Sequence, residues 1–237
     1  MWKKLALMVL LASAALMHFA VEGRTQSSNA TQGALRPDVL LVAKEAFDFN
    51  GIDQSMNLGR PTILNLAAGD FTVHAWVKFT SLTGGGPCHA DDGCDRSIVD
   101  KMTSTNNDPP NTDGWRLLKQ SGNDFWFCLG GGSENGCESF LPTTVLSQTV
   151  VEPGVWYSVA GVKTSTSISI YVNGVLEATR SFVAFTDTNT GNLVIGSHPP
   201  EGAFLAGLVG QVELFRRALS GAQVRAIFER SKARYRE

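Results

Sequence analysis

The sequence carries little charge, and neither sign dominates. Its 237 residues include 20 lysines and arginines against 22 aspartates and glutamates, so the formal net charge is only −2. Charged residues make up 18% of the chain, below the roughly one quarter that is usual for proteins. A chain this close to neutral exerts no long-range attraction on nucleic acid or on an anionic membrane. We therefore expect no nucleic-acid partner.

Long apolar runs are missing beyond the N-terminus, so we expect no membrane span after residue 25. At the N-terminus, Lys3 and Lys4 precede the apolar segment 5–21. This pattern is typical of a secretory signal peptide, cleaved here near Gly23, and an uncleaved anchor is the alternative. The predicted regions are a signal peptide at 1–23, a flexible leader at 24–44 and one domain at 45–237. The predicted location is secreted, either extracellular or periplasmic.

Cysteine is scarce, and all four cysteines fall in the predicted secreted part. Disulfides are expected in an oxidising compartment, and three pairings are possible. We favour Cys88 with Cys94 and Cys128 with Cys137, because each pair brackets a short loop. Zinc bound by Cys88, Cys94 and His89 is the weaker alternative, since the other two cysteines lack the CxxC spacing of zinc sites.

Alternation of apolar and polar residues predicts β-strands. The segments 71–79 and 167–172 both alternate with a period of two, which places one face of each strand on a core. Asn173-Gly174 then predicts a tight hairpin, because both central residues of such a turn need a positive φ. About a dozen short strands with regularly spaced turns are typical of an all-β sandwich.

One helix is predicted, at the C-terminal end. Ser220 and Gln223 have the spacing of a capping box, and Leu219 with Val224 can form a hydrophobic staple. Ile227 continues the apolar face that Val224 begins. The arginines and lysine that follow are expected on the solvated surface of this helix.

Three segments give the chain a family resemblance. They are the opening 46–53 (AFDFNGID), the strand 71–79 (FTVHAWVKF), and a tail. The tail consists of Trp156-Tyr157, 170–174 (IYVNG), 193–196 (LVIG), 204–210 (FLAGLVG) and 217–220 (RALS), which leads into the helix. Together they resemble the laminin-G-like, pentraxin-related domains of the concanavalin A-like lectin/glucanase superfamily. The resemblance implies an antiparallel two-sheet jelly-roll sandwich with a short C-terminal helix. It supports the fold more than a function.

The chain departs from this family where calcium would be expected. Many relatives carry an acidic pair in the last strand, whereas Gly210-Gln211 stands there in this chain. Gln54 stands where relatives often have a second acid after the opening turn. These positions therefore do not predict calcium binding in the manner of the family.

Catalytic patterns of the superfold are also missing. Its retaining β-glucanases need two carboxylates about 5 Å apart, typically from a Glu-x-Asp-x-x-Glu strand, and the sequence has none. Glu134 and Glu138 are predicted to be solvated loop residues. His74, His89 and His198 lie in neither an HExxH nor a GxSxG motif, and His74 is predicted at the surface or between the sheets. We therefore predict that the protein is not an enzyme.

A binding site is predicted at one end of the sandwich. If successive strands are antiparallel, the loops 103–113, 130–142 and 184–191 meet at the same end. The candidate ligands there are oxygen-bearing side chains suited to calcium or to sugar hydroxyls, namely Asp108, Asp113, Asp187 and Asn189. The alternative is that Asp, Asn and Gly simply form turns. Trp76 is expected either under the helix or on a concave binding face.

The predicted function is secreted, non-catalytic recognition of a glycan or an extracellular protein, with calcium as a candidate cofactor. One alternative is a divergent glycan-cleaving enzyme, which requires a carboxylate pair contributed by separate strands. The other alternative is a structural or adhesive surface protein with no small ligand.

Overall fold

The structure is a computed structural model. It describes residues 39–42, 45–64, 66, 69–82, 95–103, 113–130, 137, 140–183, 189, 191–198 and 202–236. The predicted signal peptide and most of the predicted leader lie outside these residues. Within the described ranges, no helix combines the length and the apolar character needed to cross a membrane.

The described residues form thirteen strands and one α-helix. In chain order the strands are β1 (Val39–Val42), β2 (Phe47–Asn50), β3 (Met56–Asn57), β4 (Phe71–Phe79), β5 (Arg96–Asp100), β6 (Gly114–Lys119), β7 (Asp124–Gly130), β8 (Thr144–Val150), β9 (Trp156–Lys163), β10 (Ser167–Val172), β11 (Val175–Ser181), β12 (Val194–Ile195) and β13 (Ala206–Phe215). Helix α1 spans Gly221–Ser231, with short 3-10 turns at Thr62–Leu64 and Lys232–Arg234. The predicted β-sandwich with a short C-terminal helix is confirmed.

Two antiparallel sheets make up the sandwich. Sheet A has the order β1-β13-β4-β9-β10-β11, with β2 also paired to β13, and sheet B has the order β3-β12-β5-β6-β7-β8. Strand β1 lies inside the segment predicted as a flexible leader, so the sheet begins at Val39 rather than after residue 44. The run Val-Leu-Leu-Val favours a strand because β-branched and apolar residues fit a pleated, half-buried surface.

The main core lies between the two sheets. Phe71 of sheet A contacts Trp115 and Phe127 of sheet B, with ring centroids 5.3 and 6.0 Å apart. All three side chains are fully buried. The sheets approach so closely at Gly161 that a Cβ atom there would lie 2.5 Å from the Phe127 ring.

Helix α1 covers the outer face of sheet A. Val224 and Ile227 pack on Ala160, Val162 and other apolar residues of that face. Burial of each large aliphatic side chain stabilises the fold by about 1.5–3 kcal/mol. The predicted capping box is present, because Ser220 and Gln223 exchange side-chain to backbone hydrogen bonds.

Trp76 lies under this helix, which was one of the two positions predicted from the sequence. Its Nε1 donates to Ser231 Oγ at 2.9 Å, and its ring stacks on Tyr235 with centroids 4.4 Å apart. His74, on the same face, is fully buried beneath the helix, so the prediction of a surface or inter-sheet position is wrong. A helix that caps the outer face of a sheet buries residues which the strand period alone assigns to solvent.

Candidate functional site

The outer face of sheet B carries two cross-strand rows of side chains. The first row is in register across four strands, as Asp100, Arg116, Cys128 and Thr144. The second row runs beside it, as Ser97, Leu118, Trp126 and Leu146. Residues of these two rows are absent from the core between the sheets, which their neighbours in the same strands help to form. One row is therefore mainly polar and the other mainly apolar.

A buried ionic cluster forms one end of the first row. The Asp100 Oδ2 atom lies 2.9 Å from His198 Nδ1 and 3.2 Å from Arg116 Nε. Ser97 Oγ donates to the same oxygen at 3.0 Å, and the Met102 amide donates to Oδ1 at 2.8 Å. The four charged or polar side chains are 0–3% exposed. The cluster joins β5, β6 and the segment after β12.

The surroundings of Asp100 favour its ionised form. Burial by itself raises the pKa of a carboxyl group, but the His198 imidazole, the Arg116 guanidinium and the Met102 amide outweigh it. The net effect holds the pKa of Asp100 below its ordinary value. Asp100 is therefore an anion and an acceptor rather than a proton donor.

The second row belongs to an apolar cluster that contains a disulfide. Met102, Leu118, Trp126 and Cys128 pack together, with Cys137 and Leu146 at the margin. The predicted Cys128–Cys137 disulfide is present. It fixes residue 137, in the connection between β7 and β8, against this face of sheet B. The predicted Cys88–Cys94 disulfide and the alternative zinc site lie outside the described residues.

The loops 103–113, 130–142 and 184–191 were predicted to lie at the same end of the sandwich. Their described residues make contacts at that end. Thr103 and Asp113 form a β-bridge at the base of the first loop. Asn189, from the third loop, donates through Nδ2 to the Asp113 carbonyl at 2.8 Å and also to the Lys101 carbonyl. Cys137, from the second loop, places its Sγ 4.0 Å from Met102 Sδ. We call this end of the sandwich the loop end.

The four predicted calcium ligands have different positions. Asn189 is buried, and its Oδ1 accepts from the Gly191 amide, so this side chain ties backbone segments together. Asp113 lies at the loop end beside it, and Asp108 and Asp187 lie outside the described residues. Among the residues that the structure describes, no group of three or more His, Cys, Asp or Glu side chains is arranged to hold a metal ion. The calcium role of these four residues stays a prediction.

An exposed aromatic ring stands at the same end. Phe140 is 77% exposed, and it lies between Cys137 and the start of β8. The segment is anchored behind it, because Arg180 donates to the Leu141 carbonyl at 2.8 Å and the Leu129 amide donates to the Thr143 carbonyl at 2.9 Å. Binding residues often lie on loops that a rigid scaffold holds in place, and an exposed aromatic side chain there can contact a ligand.

A second buried carboxylate lies on the opposite side of the molecule. Glu213 of β13 lies 3.4 Å from His74 Nδ1 and 2.9 Å from an Nη atom of Arg230 on α1. Burial raises its pKa, but hydrogen bonding and charge from His74, together with Arg230, lower it more. A glycosidase acid needs a raised pKa and a second carboxylate within about 5–10 Å. Asp100 and Glu213 have lowered pKa values and lie on different sheets.

Sequence reasoning did not find the Asp100 cluster. The one signal was local, since Arg116 stands between the core residues Trp115 and Leu117 and must therefore point away from the core. Its partners Asp100 and His198 come from other strands, and only the strand register brings them together. No pattern within a single segment shows that meeting.

Comparison with protein families assigns the fold to a known class. The family model Laminin_G_3, described as the concanavalin A-like lectin/glucanases superfamily, matches residues 50–225. This match covers more than half of the chain. The chain therefore belongs to this family, and the resemblance drawn from the sequence is confirmed. Among curated protein sequences, none matches the chain.

Solved structures that share this fold include binding domains of other proteins. The receptor binding domain of botulinum neurotoxin D is 13% identical with a TM-score of 0.57, over 80% of this chain and 46% of that one. The binding domain of Paraclostridial Mosquitocidal Protein 1 is 13% identical with a TM-score of 0.53, over 81% and 45%. A CBM40 from a Ruminococcus gnavus IT-sialidase, bound to alpha2,3 sialyllactose, is 15% identical with a TM-score of 0.52, over 78% and 99%. The chain thus spans under half of the toxin domains and nearly all of the CBM40.

Proposed function

We propose that this protein is a secreted, non-catalytic module that binds a glycan at the loop end. The observation that carries the proposal is the exposed Phe140 on a segment fixed by the Cys128–Cys137 disulfide, in a fold of the lectin/glucanase superfamily. An aromatic ring can pack on the apolar face of a sugar, and loop oxygens at the same end of the sandwich, such as those of Asp113, can bond its hydroxyls. The sialyllactose-bound CBM40 supports this proposal through its shared fold.

Recognition fits the described chemistry better than hydrolysis does. Among the residues that the structure describes, the two buried carboxylates, Asp100 and Glu213, are each held ionised by a histidine and an arginine. Neither is therefore suited to donate a proton to a leaving group near neutral pH. Calcium remains part of the proposal, and of its four predicted ligands the structure describes Asp113 and Asn189.

A glycan array tests the proposal. Purified mature protein is applied with calcium and then with a chelator, followed by the variant Phe140→Ala. We expect saturable binding to a defined sugar, and we expect Phe140→Ala to weaken it by about tenfold, which corresponds to about 1.4 kcal/mol. Loss of binding with chelator and with Asp113→Asn would support the calcium part.

Val150→Ala is the matched control, because Val150 is 66% exposed at the other end of β8. It should bind like the unmodified protein. Equal losses in both variants would place the glycan site elsewhere. No binding under any condition would contradict the glycan proposal and favour an extracellular protein partner.

A further inference from the structure

The C-terminal segment of the chain concentrates positive charge. Residues 216–236 contain seven arginines and lysines but only one acidic residue, Glu229. In the rest of the chain acidic residues outnumber basic ones, because the whole chain carries a formal net charge of −2. Six of the seven basic residues are arginines, whose planar guanidinium groups bind carboxylates through paired hydrogen bonds. The segment therefore offers a local attraction for acidic groups that the net charge of the chain conceals.

The basic side chains of this segment face solvent, whereas the acidic groups near them already have partners. Glu229 forms an ion pair with Lys232. Hydrogen bonding to Lys232, with the charges of two nearby arginines, holds the pKa of Glu229 below its ordinary value. Glu213, beneath the helix, pairs with Arg230. A surplus of positive charge therefore remains on the surface, and its exposed arginines are Arg216, Arg225, Arg230, Arg234 and Arg236.

An open groove lies between helix α1 and the end of strand β13. Its volume is about 300 Å³, and the buried apolar side chains of Phe215, Leu219 and Ile227 line it. Ala222 and Ala226, on the helix side, line it as well and are exposed, so the groove opens directly to solvent. The helix residues that line it run from 222 to 230, a length of about 12 Å. About four residues of extended polypeptide match that length.

Two arginines, Arg217 and Arg230, line the same groove. Arg217 Nη1 donates to Gln223 Oε1 at 2.9 Å. Arg230 Nη2 donates to Glu213 Oε1, also at 2.9 Å. The Arg230 side chain is 50% exposed, and a guanidinium group has five N–H donors, so its bond to Glu213 leaves others for a ligand. The groove thus combines an apolar surface with two cations held beside it.

An acidic protein segment fits this groove better than a membrane or a polysaccharide does. Every exposed residue of α1, which the structure describes in full, is polar, charged or no larger than alanine. Insertion into a membrane requires large apolar side chains on the exposed face of a helix, so a membrane is not favoured. An acidic polysaccharide would pair with the arginines, but it has no apolar side chain to fill the space beside Phe215 and Ile227. A peptide supplies apolar and acidic side chains together.

We propose that this groove binds an extended segment of a partner protein in which an apolar side chain stands between acidic ones. The apolar side chain packs on Phe215, Leu219 and Ile227, and the carboxylates bond with Arg217 and Arg230. The arginines around the groove attract the acidic segment and raise the rate of encounter. The groove shares no residue with the loop end, so this inference goes beyond the glycan proposal and does not rest on it.

Selection from a random peptide library displayed on phage tests the proposal. The mature protein is the bait, and the selected sequences are then synthesised as peptides and titrated by fluorescence anisotropy. We expect these sequences to carry Asp or Glu on both sides of a large apolar residue, and their binding should weaken as added salt screens the charges. Selection of sequences without acidic residues, or of none at all, would overturn the proposal. Retention on immobilised heparin without peptide selection would overturn it in favour of a polysaccharide.

The variant Ala226→Glu tests the position of the site, because it places a negative charge in the groove at an exposed residue. It should weaken peptide binding by at least about tenfold. Ala233→Glu is the matched control, since Ala233 is exposed and lies outside the groove, and it should change binding by less than about threefold. Equal binding losses in the two variants, or no loss in Ala226→Glu, would overturn the proposed site.

Two further variants keep the outcome decisive. Arg230→Gln should weaken peptide binding by roughly fivefold, and it decides the same question if Ala226→Glu does not fold. Unchanged peptide binding in Arg230→Gln would contradict the role of this arginine in the groove. Phe140→Ala should bind the peptide like the unmodified protein, which separates failure of this site from failure of the glycan proposal.

Discussion

Asp100 is the residue on which three segments of the chain depend. Its carboxylate accepts from or pairs with Ser97, Arg116 and His198, and all of these groups are buried. Removal of one partner from a buried ionic cluster is costly because the other charges stay buried without compensation.

We expect Asp100→Asn to lower the free energy of unfolding by about 3 kcal/mol at pH 7. Urea denaturation followed by tryptophan fluorescence measures this change. Asp70→Asn is the control, since Asp70 is exposed, and it should stay within about 0.5 kcal/mol of the unmodified protein. A loss of similar small size in Asp100→Asn would show that the cluster contributes little.

The sequence could indicate the direction of single side chains but not the partners they meet. Arg116 must point away from the core because its two neighbours in the strand are core residues. Asp100 reaches it only because β5 and β6 pair with a register shift between Ser97 and Val99. A bulge of this kind changes which residues face each other, and alternation along one strand does not encode it.

At the scale of elements, the C-terminal helix depends on its first turn. The Ser220 side chain accepts from the Gln223 amide, and the Gln223 side chain accepts from the Ser220 amide. These bonds satisfy backbone donors that a helix start leaves without partners. The helix in turn buries the outer face of sheet A, so fraying of its first turn weakens that packing.

Ser220→Ala should therefore lower the free energy of unfolding by about 1 kcal/mol. Ser220→Gly should cost only a few tenths of a kcal/mol, because glycine is tolerated at this position of a helix. Chemical denaturation of both variants provides the measurement. No loss of stability in Ser220→Ala would mean that the capping bonds contribute nothing measurable.

Elements that are set by local patterns could be predicted from the sequence. The predicted strand 71–79 coincides with β4, and the Asn173-Gly174 turn has the expected positive φ values of 50° and 77°. The sequence analysis did not predict strand β1, because Val39–Val42 is short and forms a strand by pairing with β13, which is distant in the chain. The burial of His74 was missed for the same reason, since a helix far along the chain covers it.

At the scale of the whole molecule, acid should destabilise the fold through two carboxylates. The pKa values of Asp100 and Glu213 are lower in the folded chain than their ordinary values. An unfolded chain then binds protons more readily than the folded one as the pH falls. The stabilisation from both groups is present above about pH 4.5 and is lost as the pH falls through their folded pKa values.

Urea midpoints between pH 7 and pH 2 measure this loss. We expect a steep decline below about pH 4.5, and a shallower decline for Asp100→Asn because one of the two titrating groups is absent. An identical decline in both proteins would show that Asp100 does not contribute to the acid sensitivity.

We propose that the molecule binds a glycan and leaves it intact. The most direct measurement incubates the mature protein with a sugar found on the array, quantifies binding by calorimetric titration and then recovers the sugar for mass spectrometry. We predict saturable binding and a sugar of unchanged mass after prolonged incubation. Shorter products would identify a glycan-cleaving enzyme, and the absence of heat or retention would contradict glycan recognition.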